Sequence, residues 1–129
     1  MSKIDSHNEV LRAISQIDGL PQIVWEGLGD LQSSAVKPRV EVQRGPSRDD
    51  RVGQSEVTRH TCDVQIVVVV EPGEMFEAQR IVRLLEDALY TNTRIADVIF
   101  VVSPLDVRPS LSEAGELRVP TYCRYMVLV

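Results

Sequence analysis

The amino-acid sequence predicts an α+β fold: a mixed, mainly antiparallel β-sheet with two α-helices packed on one face. Three observations predict it. Residues 58–71 begin with strict alternation, Cys62, Val64 and Ile66 against Thr61, Asp63 and Gln65, which is the period of a strand with one buried face. The second half of that stretch, 66–70, is apolar on both faces and entirely β-branched, which favours strand over helix. Directly after it, Met75, Ala78, Ile81, Val82, Leu85, Ala88 and Leu89 recur at helical spacing, and the stretches 38–44, 98–102 and 122–129 read as further strands.

The elements follow in order. Ser6-His7-Asn8-Glu9 fits a capping box, in which serine and glutamate satisfy each other's backbone amides. Val10, Leu11, Ile14 and Ile17 then predict a helix over 7–18, with Gly19 placed to end it in a left-handed turn. Ile23-Val24-Trp25 is short enough for an edge strand. Residues 26–37 show no periodicity. Residues 38–44 alternate as a strand, and the polar, Gly- and Pro-bounded stretch 45–55 predicts a long loop back to the strand at 58–71.

Pro72-Gly73 ends that strand, because proline cannot donate to the ladder. The helix over 74–90 has Glu74 and Glu77 at the positive end of its dipole, Arg80, Arg83 and Asp87 on its outer face, and Asn92 as its stop. Ser103-Pro104 interrupts the strand at 98–102, Val107 resumes it, and the polar residues 110–116 turn the chain into the last strand. Two antiparallel hairpins joined by the central helix permit a parallel pairing between them.

The 129 residues fit a single domain, 1–129, and a core built from valine, isoleucine and leucine, since aromatic residues are only 5% of the chain. The net charge of −5 argues against general or sequence-specific nucleic-acid binding, which needs a basic face, although residues 37–60 carry more Arg and Lys than Asp and Glu. No stretch approaches the roughly 20 apolar residues of a membrane span. The first residues lack the apolar run of a signal peptide, so the expected site of synthesis is the cytoplasm. Cys62 and Cys123 read as reduced, buried core residues.

Chemical motifs are absent. There is no Gly-rich phosphate loop, Gly-x-Ser-x-Gly elbow, Cys-x-x-Cys pair or His-Glu-x-x-His. His60 and Cys62 share a strand face with Asp63 opposite, too few ligands for a metal. His7 and the adjacent Glu86 and Asp87 read as solvated. The expectation is a protein without catalytic residues, cofactor or metal.

Two features bear on function. Val67 and Val69 fall on the face opposite Ile66, Val68 and Val70, where a sheet with helices on one side normally turns polar. Either the Trp25 segment or a long loop covers them, or a second subunit does, or they floor a ligand groove. The second feature is the cluster Arg44, Arg48, Asp49, Asp50 and Arg51 in the polar stretch, which reads either as a solvated loop or as a partner-binding one.

The order of these elements resembles the small tail-terminator-like proteins of long-tailed bacteriophages and prophages. The resemblance rests on the N-terminal helix before Leu20-Pro21 and Ile23-Val24-Trp25, the strand Arg39-Val40-Glu41-Val42, the polar loop, the strand at 62–70, the Pro72-Gly73 turn, the helix from Met75 to Leu89, and the strand entry Val119-Pro120-Thr121-Tyr122. It implies a non-catalytic virion subunit, made in the bacterial host cytoplasm and found in the virion tail. Such a subunit assembles with itself into a ring, hexameric by the resemblance. The ring caps the tail-tube protein and offers a surface to the head–tail connector protein. The alternative from another class is a small α+β ligand-binding or regulatory module that dimerises through its sheet.

Overall fold

The computed structural model describes residues 3–25, 37–51, 58–96 and 99–128. Its elements are α1 (Lys3–Ser15), β1 (Gln22–Trp25), β2 (Arg39–Arg51), β3 (Thr58–Val70), α2 (Met75–Ala88), β4 (Arg94–Ala96), β5 (Ile99–Val101), β6 (Asp106–Val107), β7 (Leu111–Glu113) and β8 (Glu116–Leu128). The strands form one sheet in the order β1-β2-β3-β8-β5-β4, and β6 and β7 also pair with β8. The α+β class and the mixed, mainly antiparallel sheet follow directly from this arrangement.

Strand β3 lies at the centre because both of its faces can be buried. It pairs antiparallel with β2 on one side and with β8 on the other over nearly its whole length. On β3, Cys62, Val64, Ile66, Val68 and Val70 share one core with Val40 and Val42 of β2, Val10 and Ile14 of α1, and Ala78, Ile81, Val82 and Leu85 of α2. Both helices therefore supply the layer over this face. The helical stripe read in the sequence is the buried stripe of α2, while Arg80, Arg83 and Asp87 are exposed. Thr121, fully buried in the same layer, donates its hydroxyl to the Ile66 carbonyl at 2.7 Å. Cys62 and Cys123 are free and buried on this face; burial, with the Asp63 charge adding to it, pushes the Cys123 thiol up to about 12.

Four expectations need correction. Helix α1 begins at Lys3 and ends at Ser15, so Ser6 is an interior residue and not a cap. It is 1% exposed, one helical turn before Val10 and two before Ile14, on the core stripe itself. Glu9 pairs instead with Arg12 at 3.0 Å. Helix α2 likewise closes earlier than expected, with Leu89 as its C-cap. Asn92 sits in the following turn in a left-handed conformation (φ 68°) that asparagine tolerates.

The third correction concerns residues 45–51, which are strand and not loop. Strand β2 continues to Arg51 through a register shift between Arg44 and Ser47, and the remainder of the predicted loop lies outside the described residues. The polar composition that suggested a loop fits a solvent-facing extension just as well. Gly45 and Pro46 mark a bulge within the strand, a position where both residues are tolerated. A Cβ built on Gly45 would stand 2.9 Å from the Asp63 carbonyl oxygen of β3. Gly45→Ala is therefore expected to lower stability by about 1–3 kcal/mol, the cost of overpacking against backbone. Urea unfolding of the two proteins checks this.

The fourth concerns the parallel pairing. It is not made across α2. Strands β3 and β5 run parallel, but β8 is inserted between them, so the crossover forms a split β-α-β unit. The parallel pair is β1 with β2, in which Ile23 stands beside Val40 and Trp25 beside Val42.

Candidate functional site

The face of the sheet turned away from the helices carries most of the organised polar structure. Alternation along β2 and β8 brings Arg39, Glu41, Glu116 and Arg118 to it, each separated from its same-strand partner by one core residue. Their charges close into a ring. Arg39 Nε donates to Glu41 Oε2 at 2.8 Å and Arg39 Nη2 to Glu116 Oε2 at 2.8 Å. Arg118 Nη2 donates to Glu41 Oε1 at 2.5 Å and Arg118 Nη1 to Glu116 Oε1 at 3.1 Å. Each carboxylate thus uses one oxygen for each guanidinium. Lys37 Nζ stands 3.8 Å from both Glu71 and Glu116.

This quartet explains the two valines. Val69 lies between Arg39 and Arg118 in the register, and Val67 between Glu41 and Pro120. The pairs Arg39–Glu116 and Arg118–Glu41 join β2 to β8, two strands that flank β3 and stand about 10 Å apart. Their side chains must pass over β3 to meet. Val67 and Val69, 7% and 0% exposed, are the residues they cross. The aliphatic stems of the arginines cover apolar surface while their heads stay paired. Trp25 packs against the helix-side core, so among the described residues it is the quartet that passes over Val67 and Val69; the stretches after Trp25 and after Arg51 lie outside the described residues.

The electrostatics follow from this packing. Burial by itself would raise the Glu116 carboxyl. The hydrogen bond from Arg39 and the charges of Arg39, Lys37 and Arg118 outweigh it and hold the group below the usual carboxylate range. Burial would lower the Arg118 guanidinium, and its bonds to Glu41 and Glu116 reverse that. A carboxylate held down as Glu116 is makes a poor general acid or base near neutrality.

Further along the same face, Gln43 bonds Gln65 side chain to side chain, and Gln65 Nε2 donates to the Tyr122 hydroxyl at 3.1 Å. Arg108 lies 5.5 Å from the Tyr122 ring centroid, a cation–π contact. Arg124 then grips Asp63 with two bonds, 2.9 and 3.3 Å.

The predicted cluster of five charged residues does not form one patch. Arg44 stands in register with Val64, on the helix side of the sheet, whereas Arg48 stands opposite Thr61 on the other side. Asp49, Asp50 and Arg51 are in register with His60, Arg59 and Thr58. Val67 and Val69 lie beneath the quartet, on the other side of Gln65 and Asp63 from Arg48. Sequence reasoning missed Arg39, Glu41, Glu116 and Arg118. Their signal was present as opposite charges two residues apart in two strands, but which strand closes on which is a matter of register.

Among the described residues, no group of three His, Cys, Asp or Glu side chains is placed to hold a metal, and no helix is long and apolar enough to cross a membrane. His60 and Cys62 share a face as expected, in register with Val127 and Tyr125.

No family model and no curated protein matches this chain. Among solved structures, an uncharacterised protein is similar over 98% of this chain and 96% of its own, with a TM-score of 0.66 and 16% sequence identity. At that identity the similarity shows the fold alone.

Proposed function

We propose that this chain is a non-catalytic structural subunit of the tail-terminator type: it assembles into a ring that caps a phage or prophage tail tube and joins it to the head connector. The observation that carries this reading is the outer edge of β2. The described part of β1 pairs with β2 from Arg39 to Val42, and among the described residues no strand lies beside Gln43 to Arg51. The edge of a long strand can pair with the backbone of another chain. Here it is presented on an arm carrying Arg44, Arg48, Asp49, Asp50 and Arg51. A neighbouring copy that pairs with this edge makes a head-to-tail contact, and such contacts close into rings when the rotation per subunit closes. Val67 and Val69 then support the face beneath the quartet.

The partners on this reading are further copies of the chain in a hexamer, the tail-tube protein and the connector. The setting is the bacterial host cytoplasm during assembly and then the virion tail. Sedimentation equilibrium over a wide concentration range, followed by a tube-polymerisation assay, tests it. A closed six-subunit species that arrests tube growth is the expected result. A strict monomer without effect on tube growth overturns it.

One observation favours the ligand-module alternative: a cleft of about 420 Å³ between α2 and β6, with Met75, Val82, Val107 and Val119 in its wall and Arg83 and Arg108 at its rim. Mass spectrometry of small molecules released from the purified, denatured protein discriminates the two. A stoichiometric metabolite would favour the module.

A further inference from the structure

Helix α2 offers two chances for an ion pair at the same spacing, and only one is taken. Glu77 and Arg80, three residues apart, meet at 2.7 Å. Arg83 and Glu86, also three apart, do not pair with each other, and neither has a hydrogen-bond or ion-pair partner among the described residues. The order of the signs fits the difference. An acid on the N-terminal side of a base agrees with the helix dipole, and the reverse order opposes it. Both unpaired residues line the cleft of about 420 Å³ between α2 and β6. Its floor is apolar: Ala78, Val82 and Val119 are buried, and Val107, 43% exposed, stands in the wall. Arg108, the other guanidinium of the lining, is already engaged. It donates to Asp106 at 3.0 and 2.9 Å and lies over the Tyr122 ring.

We propose that this cleft binds an apolar α-amino acid of about leucine size, with the ligand's carboxylate on Arg83 and its ammonium on Glu86. One cation and one anion beside an apolar floor match a molecule that carries one charge of each sign next to a hydrocarbon side chain. A fatty acid would set its carboxylate against Glu86, and an alkylamine would set its ammonium against Arg83. Residues three apart on a helix have Cβ atoms about 5–6 Å apart, so the two heads can converge on groups borne by one carbon. The guanidinium fork suits the carboxylate, and the Glu86 carboxylate accepts from the ammonium. Two exposed ion pairs alone contribute little; the ligand's side chain, buried against Val82, Val107 and Val119, supplies the rest. The volume lies near the lower end of the range for small-molecule sites, about 300–1,000 Å³, which suits an amino acid better than a nucleotide. The site rests on the cleft that favours the ligand-module reading, and it needs neither the open edge of β2 nor ring formation.

Titration of the full chain with L-leucine, followed by ¹H–¹⁵N correlation spectra, tests the site. The expected result is a saturable response centred on the amides of Gln79, Val82, Arg83 and Ser110. Two further probes divide the ligand: 4-methylpentanoate lacks the ammonium, and 3-methylbutylamine lacks the carboxylate. Each should bind roughly tenfold more weakly than leucine, the worth of one charge-assisted hydrogen bond. Arg83→Ala and Glu86→Gln should each weaken leucine binding by a similar factor. Arg80→Ala, which removes the same charge from outside the lining, should leave binding unchanged. Absence of saturation up to about 50 mM leucine, equal binding of leucine and 4-methylpentanoate, or an equal loss in Arg80→Ala overturns the site. Shifts of the same amides with protein concentration, before any leucine is added, would give the cleft to a second copy of the chain and also overturn it. A ligand lost during purification fails the release assay described above but not this titration, so the two failures are distinguishable. Folding of each variant is read from the same spectra.

Discussion

Glu116→Gln is expected to lower the free energy of unfolding by about 2–4 kcal/mol, although it changes only one charge. The Arg39 side chain is 3% exposed, and Glu116 and Glu41 are carboxylate partners it has among the described residues. Removing one partner of a buried ion pair leaves a desolvated charge undercompensated, which costs more than the intact pair contributes. The surviving bond to Glu41 keeps the loss below that of a fully orphaned arginine. Arg39→Met in the Glu116→Gln background should recover part of it, because the uncompensated charge is then gone. A double-mutant cycle by urea unfolding measures the coupling. A loss under about 0.5 kcal/mol for Glu116→Gln would show that the quartet carries no stability.

The same quartet sets a pH dependence. The Glu116 carboxyl titrates lower in the folded protein than in the unfolded chain, held down against burial by Arg39, Lys37 and Arg118. A depressed carboxylate contributes stability that is present above its unfolded value, near 4.3, and is lost as pH falls through its folded value. Stability should therefore hold from neutrality to about pH 5 and decline below that. The Glu116→Gln protein should decline less steeply. Similar slopes in the two proteins would assign acid sensitivity to other groups.

Ile66→Ala is expected to cost about 3–5 kcal/mol, the larger effect of the two. Ile66 is 0% exposed at the middle of β3, with Val42 on one side and the buried Thr121 on the other. Both flanking strands hold the site open, so the cavity left by alanine has little room to collapse. Phe76→Ala removes more side chain but should change stability by less than about 0.5 kcal/mol, because Phe76 is 87% exposed at the start of α2. Urea midpoints for the pair give a direct comparison. Equal losses would contradict the placement of the core.

The contrast between these two residues also shows what was legible in the sequence. Phe76 falls outside the stripe from Met75 to Leu89, and Ile66 falls on the alternating face of β3; both placements follow from periodicity alone. The length of β2 was hidden because residues 45–51 are polar on both faces, and polarity does not distinguish an exposed strand from a loop. Ser6 was misread because a serine three residues before a glutamate suits a helix start, whereas its spacing to Val10 and Ile14 suits a buried interior. The tertiary fit to the core decided between them. The quartet was legible in composition but not in closure. Arg39-Val40-Glu41 and Glu116-Leu117-Arg118 announce two charged strand faces, yet nothing local says that they meet over Val67 and Val69.

Strand β8 has a consequence for how the protein is made. It lies between β3 and the row of β5, β6 and β7, so the middle of the sheet is supplied by the last element in chain order. A ribosome delivers α1, both arms of the β2–β3 hairpin and α2 before the strand they must close around. Until Glu116 to Leu128 emerge, one whole edge of β3 is bare and the Val67–Val69 roof lacks half its arginines and half its carboxylates. Closure of the sheet is therefore a late, vectorially timed event. The nascent chain during that interval is the form in which protection by a chaperone matters most.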